Sequence, residues 1–179
     1  MRAALSHIDQ PILFATSRGI SLAYRRFGIS PIRQVPGWEM TVALIELTVV
    51  LLVMAILHRI GDRSLVYILP LMAFSMIVEV FTNGLKFRRI PNVYDAKAYR
   101  QACAEAEENR SGGLYLRSFS LVLPISALVM FTSVLPPSHV WIAWCGMLYF
   151  SLYASKFFVR ACEPPHPDEG DFFAVPSAS

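Results

Sequence analysis

Residues 40–57 read MTVALIELTVVLLVMAIL, an apolar run broken only by Thr41, Glu46 and Thr48. As a helix this run reaches about 27 Å, close to the hydrocarbon thickness of a bilayer, and Trp38 extends it toward the interface. Three runs of the same kind follow: LVYILPLMAFSMIVEVFTNGL at 65–85, LYLRSFSLVLPISALVMFTSVL at 114–135 and VWIAWCGMLYFSLYASKFF at 140–158. Pro70 is expected to kink the second span, which a membrane protein tolerates where neighbouring helices re-satisfy the freed backbone groups. Short connections, HRIGDRS at 58–64 and Pro136 to His139, pair the spans in sequence order. The expected fold is therefore an all-α membrane protein with four transmembrane helices in two antiparallel hairpins, 38–85 and 114–160. An N-terminal interfacial amphipathic helix within 1–37 and a cytoplasmic mid-chain helix within 86–113 complete it, followed by an acidic, Pro-rich, disordered tail at 161–179.

Composition agrees with that class. The chain has 179 residues, of which 55% are hydrophobic and 16% charged. A soluble core of this size needs less apolar material, so a water-soluble bundle would have to be unusually greasy. The net charge of +3 is small, and no basic stretch carries interleaved aromatic residues, so no nucleic-acid partner is expected. Cys103, Cys145 and Cys162 are odd in number and far apart, giving neither a disulfide framework nor a zinc site. No short apolar core runs into a cleavage site at the N-terminus, so a secretory signal is not expected. A mitochondrial presequence stays open, because Arg2, Arg18, Arg25, Arg26 and Arg33 face only Asp9 and Glu39 over that stretch.

Orientation follows from the lysines and arginines. Five precede the first span, two lie at 58–64, seven run from Lys86 to Arg117, none at 136–139, and Lys156 and Arg160 close the series. Fourteen of the sixteen share one side if both termini are cytoplasmic. The expected location is a bacterial inner membrane, with an organelle inner membrane as the alternative.

Outside the spans, residues 11–27 place Leu13, Ile20, Tyr24 and Phe27 on one helical face, with Pro11 suited to the start and Gly28 to the stop. That pattern reads as a basic amphipathic helix in the inner interface. Residues 96–110 follow a plausible N-cap, Asp95, and precede Gly112. Their stripe of Ala98, Ala102 and Ala106 either docks on another helix or belongs to a solvated connector. In the tail, Phe172 and Phe173 are the only large apolar residues and the candidate docking pair for a partner.

Glu46 and Glu79 are the candidate site. An ionisable group inside a span is costly and persists only where something compensates it. Glu46 lies about 12 Å from Trp38 along its helix and Glu79 about 9 Å from Leu85, so in an antiparallel pair they can meet. Ser75, Glu79, Thr82 and Asn83 form a polar stripe expected to line the bundle interior. Two carboxyls in a poorly hydrated place would share a proton, which makes a proton or cation site. The structural alternative is that each carboxyl is neutral, or reaches Arg or Lys near the inner interface, and holds helices or subunits together. No span is expected to carry a matching central base. His7, His58, His139 and His166 are scattered, without HExxH or carboxylates at ligand spacing, so neither metal nor other cofactor is expected. Cys162 is a juxtamembrane thiol, by default unmodified. Neither GxSxG nor a P-loop occurs, and Trp141, Trp144 and Tyr149 read as packing and belt residues.

Four spans with a glutamate in the first make the chain similar to the small multidrug-resistance transporters, and the resemblance implies a proton-coupled role for Glu46. It covers the hairpin layout and Glu46, while the long N-terminal segment, the 86–113 loop and the acidic tail lie outside it. The expected function is a non-enzymatic polytopic subunit with a structural or assembly role in a larger membrane complex, in contact with lipid and with other membrane subunits or copies of itself. A small proton-coupled transporter or channel component using Glu46 and Glu79 is the alternative.

Overall fold

A computed structural model describes residues 2–61, 67–134 and 137–167; the side chains of the first eight residues and of Val134 lie outside the description. All regular structure among the described residues is helical. Six α-helices run in order: α1 Arg2–Phe27, α2 Pro31–Ile60, α3 Ile68–Arg89, α4 Ala96–Gly112, α5 Leu114–Val134 and, after a single 3₁₀ turn at Pro137–His139, α6 Val140–Ala161. Segments of α2, α3, α5 and the last helix are long and apolar enough to cross a membrane, as befits a multi-pass integral membrane protein.

Helix limits differ from the expected ones, and the prolines explain why. Pro70 does not kink α3, because the helix starts at Ile68 and Pro70 falls in the first turn, where its missing N–H would have had no partner. Pro11 lies inside α1 instead of opening it, and α2 begins at Pro31 and runs through Pro36. The boundary expected at residue 37 is thus a helix interior; the break falls at Gly28, whose φ of 64° ends α1. Gly61 closes α2 in the left-handed region, its N–H bonded to the carbonyls of His58 and Leu57. Asp95 does cap α4, accepting a 2.7 Å bond from the Ala98 N–H.

The main core cluster is built from successive turns of α2 and α3 and one residue of α6: Val50, Val53 and Leu57 of α2, Leu69, Ala73 and Met76 of α3, and Ile142 of α6. α2 packs chiefly on α3 and α5 on α6, while α6 also reaches α2, α4 and α1. The outward faces remain apolar, with Leu71, Phe74 and Phe81 on α3 and Phe119, Ile125 and Val129 on α5 all exposed. This inside-out distribution is what a lipid solvent permits and water penalises. α1 turns Asp9 and Ile20 inward, while Phe27, its last residue, is exposed.

Gly113 joins α4 to α5 at a tight approach. A Cβ there would press on the Asn109 carbonyl oxygen and stand 3.1 Å from Arg117 Nη1. Gly113→Ala is expected to destabilise the protein by about 1 to 3 kcal/mol, measured by denaturant unfolding in micelles. An unchanged midpoint would mean the joint gives way freely.

Candidate functional site, a lysine between two glutamates

Three helices each send one ionisable side chain to a common point. Lys156 Nζ on α6 donates to Glu46 Oε2 on α2 at 2.9 Å and to Glu79 Oε1 on α3 at 2.8 Å. The Lys156 side chain is 5% exposed, that of Glu46 1% and that of Glu79 32%. The glutamates therefore stand at one level of the bundle, with an ammonium between them in place of a shared proton. Charged groups stripped of water are tolerable only in such mutual company. One carboxylate oxygen is not satisfied: Glu46 Oε1 is buried without a hydrogen-bond partner. With both carboxyls ionised, the triad has one more negative than positive charge.

Lys156 is the residue that sequence reasoning missed. It lies inside the apolar run at 140–158 but was counted with the inner-end charges that set orientation. Its burial, at 4% exposed, is seen only in the folded chain, where Val159 one turn on is buried on the same side of α6. Arg160, one turn on, donates from Nε to Glu39 Oε1, so α2 and α6 are joined by a second ion pair. Trp38 Nε1 donates to Ser155 Oγ at 3.1 Å between the same helices.

The expected polar stripe of α3 divides. Asn83 is buried and Glu79 reaches Lys156, but Ser75 and Thr82 are exposed. Their hydroxyls instead donate to carbonyls of their own helix, Met72 at 2.7 Å and Glu79 at 3.0 Å. The inward face follows Leu69, Ala73, Met76 and Asn83, and residues 75 and 82 each precede one of these by about 100° of helix rotation. In lipid a hydroxyl bonded to its own helix can face outward at little cost.

A second buried ion pair joins α5 to α1. Arg117 of α5 grips Asp9 of α1 with two bonds, Nε to Oδ1 at 2.9 Å and Nη2 to Oδ2 at 2.8 Å. The same guanidinium donates to two carbonyls in the last turn of α4, Asn109 at 2.7 Å, which also accepts the Gly113 N–H, and Arg110 at 3.1 Å. One side chain thus ties α1, α4 and α5. Sequence reading took Arg117 as a topology charge, although it stands three residues inside the third apolar run.

Of the candidate docking residues, Ala106 is buried and Ala98 and Ala102 are half-buried, on a helix that packs against α6. Phe172 and Phe173 lie outside the described residues. The start of the tail is extended and seated: Tyr94 Oη donates to the Pro165 carbonyl at 2.7 Å, and the Tyr99 and His166 rings meet edge to face. Among the described residues no group of three His, Cys, Asp or Glu side chains could hold a metal.

Cys162 is buried between α1 and the end of α6, its Sγ 3.5 Å from the Leu13 carbonyl. Burial pushes its thiol up to about 11. Because a raised value keeps the reactive thiolate scarce at any pH below it, Cys162 is expected to resist maleimide at pH 7 in the folded protein, while half-buried Cys103 labels first. Peptide mapping after a timed pulse checks this; equal labelling of both would contradict the buried placement.

No family model matches the chain, and neither the curated proteins nor the solved structures compared with it yield a match.

Proposed function

We propose that this protein is a non-enzymatic membrane subunit that assembles with other membrane proteins, crossing the bilayer as two antiparallel hairpins with both termini cytoplasmic and α1 lying in the inner interface. The observation that carries the reading is the use made of its interior charges. Lys156 bonds both intramembrane glutamates, Arg117 bonds Asp9 and two helix-end carbonyls, and Arg160 bonds Glu39, each contact joining different helices. Groups committed to one another in this way act as cross-links, the role a scaffold needs, and the apolar outer faces of α3 and α5 supply surface for lipid or neighbouring subunits. Purifying the tagged chain in a mild detergent and weighing the intact assembly tests the proposal. Foreign subunits in fixed stoichiometry are the expected result; a homo-oligomer alone would overturn it.

A second reading, a proton-coupled transporter or channel component, is favoured by one feature. Glu46 Oε1 is buried and unpartnered beside a triad with surplus negative charge, which a proton or cation could balance. Proton flux in liposomes that is lost in Glu46→Gln, with assembly intact, would select this reading over the first.

A further inference from the structure

The two sides of α1 differ in character. Asp9, Leu13 and Ile20 turn toward the bundle, whereas Phe14, Arg18, Leu22 and Arg26 follow one another at four-residue intervals on the opposite side. All four are exposed, Phe14 at 59% and Leu22 at 64%. Arg18 lies over Phe14, its Cζ 4.7 Å from the ring centroid. A ridge that alternates large apolar groups with guanidinium groups suits neither water, which leaves the apolar groups uncovered, nor hydrocarbon, which penalises the charges.

Tertiary contacts bring more arginine to the end of this ridge. Asn92, in the connection between α3 and α4, donates to the Gly28 carbonyl at 3.0 Å and accepts the Ser30 N–H at 2.9 Å. The Tyr24 and Tyr94 rings meet edge to face at 5.5 Å. These contacts fasten the end of α1 beside the end of α3, so Arg26 shares a corner with the exposed Arg88 and Arg89. The nearby carboxylates are committed elsewhere: Asp9 to Arg117, Glu39 to Arg160, Glu46 and Glu79 to Lys156, and Asp95 to the Ala98 N–H. Arg18, Arg26, Arg88 and Arg89 have no acidic partner among the described residues.

We propose that this ridge and corner form a docking surface for anionic phospholipid headgroups, with Phe14 and Leu22 set into the acyl boundary and the four arginines at the phosphates. Charge complementarity selects the lipid: basic groups on an amphipathic helix and beside a membrane span gather anionic lipid, and a guanidinium answers a phosphate with two hydrogen bonds. A zwitterionic phospholipid offers the same phosphate but brings its own cation, which the arginines repel. The proposal rests on the placement of α1 in an interface, and it holds whether or not the chain assembles with other subunits.

The test uses the full chain carrying Leu22→benzoylphenylalanine, a photocrosslinker on the ridge, in liposomes of equal phosphatidylglycerol and phosphatidylcholine. Mass spectrometry of the irradiated protein reads the lipid adducts. Phosphatidylglycerol adducts should exceed phosphatidylcholine adducts by about fivefold, the effect of one basic side chain near an anionic surface. Arg18→Gln with Arg26→Gln, and Arg88→Gln with Arg89→Gln, should each lower that ratio, and the four together should bring it to parity. Lys97→Gln with Arg100→Gln, exposed on α4, removes as much charge as either pair and should leave the ratio unchanged. Equal adducts without the glutamine substitutions, a ratio that survives all four of them, or one that falls as far in the α4 control would overturn the proposal and leave α1 in the interface. Adducts with neither lipid would overturn that placement as well, as expected of a ridge that meets water or another protein.

Discussion

Replacing Lys156 with methionine is expected to lower the unfolding free energy by about 3 to 5 kcal/mol, the penalty for removing one partner of a buried ionic group and leaving the other uncompensated. Methionine fills the space of the lysine stem, so the loss reports charge and not a void. Glu46, with its side chain 1% exposed, bears most of the effect; Glu79 is partly solvated and adds less. Replacing both glutamates by glutamine in the same protein should recover most of the loss, since a neutral amide in the same place needs only hydrogen bonds. Unfolding of the three proteins in mixed micelles by titrated denaturing detergent supplies the comparison. A Lys156→Met protein as stable as the unaltered chain would show that the triad is hydrated in the membrane and does not cross-link α2, α3 and α6. Glu46→Gln alone should be the mildest change, because Lys156 keeps Glu79 and the unpartnered oxygen of Glu46 no longer carries charge.

Arg117→Met is expected to cost a similar amount, again about 3 to 5 kcal/mol, but in a different part of the molecule. Asp9 would be left buried, the Arg110 carbonyl at the end of α4 would lose its Arg117 donor, and the Asn109 carbonyl would keep only the Gly113 N–H. The consequence should be local first. α1 would detach from α5, and hydrogen exchange of its amides should rise before that of α2 or α3. Arg117→Lys retains the charge but not the planar two-point grip, so it should fall between the two. If α1 exchanges at the same rate in all three proteins, the Asp9–Arg117 pair does not hold it.

Helices and spans were legible because they depend on properties that sum along the chain. Eighteen successive residues with a single charge leave a helix in lipid as the practical choice, and no tertiary contact is needed to see it. The meeting of Glu46 and Glu79 was legible in part, since rise per residue sets depth. Its chemistry was legible only as one of two alternatives, a shared proton or an Arg or Lys partner, and the sequence did not name Lys156 as that partner. Whether Lys156 belongs to the inner surface or the interior depends on the rotation of α6 about its own axis, which sequence position does not encode for a helix apolar on most faces. The same phase decided that Asn83 turns inward and Thr82, one residue away, turns out.

The prolines show the same division. Pro70, Pro11 and Pro36 are equally visible in the sequence, yet their effect depends on whether each N–H had a partner to lose, and that follows from where the helix begins. The sequence by itself therefore determined an all-helical chain with four candidate spans, a polar mid-chain helix and carboxyls at a definable depth. Only the tertiary structure decided which charges face one another: Lys156 with two glutamates, Arg117 with Asp9, Arg160 with Glu39. The reason is physical. Burial in lipid is a property of a segment, whereas an ion pair needs two side chains from distant segments brought within about 3 Å, and that distance is set by helix rotation and packing.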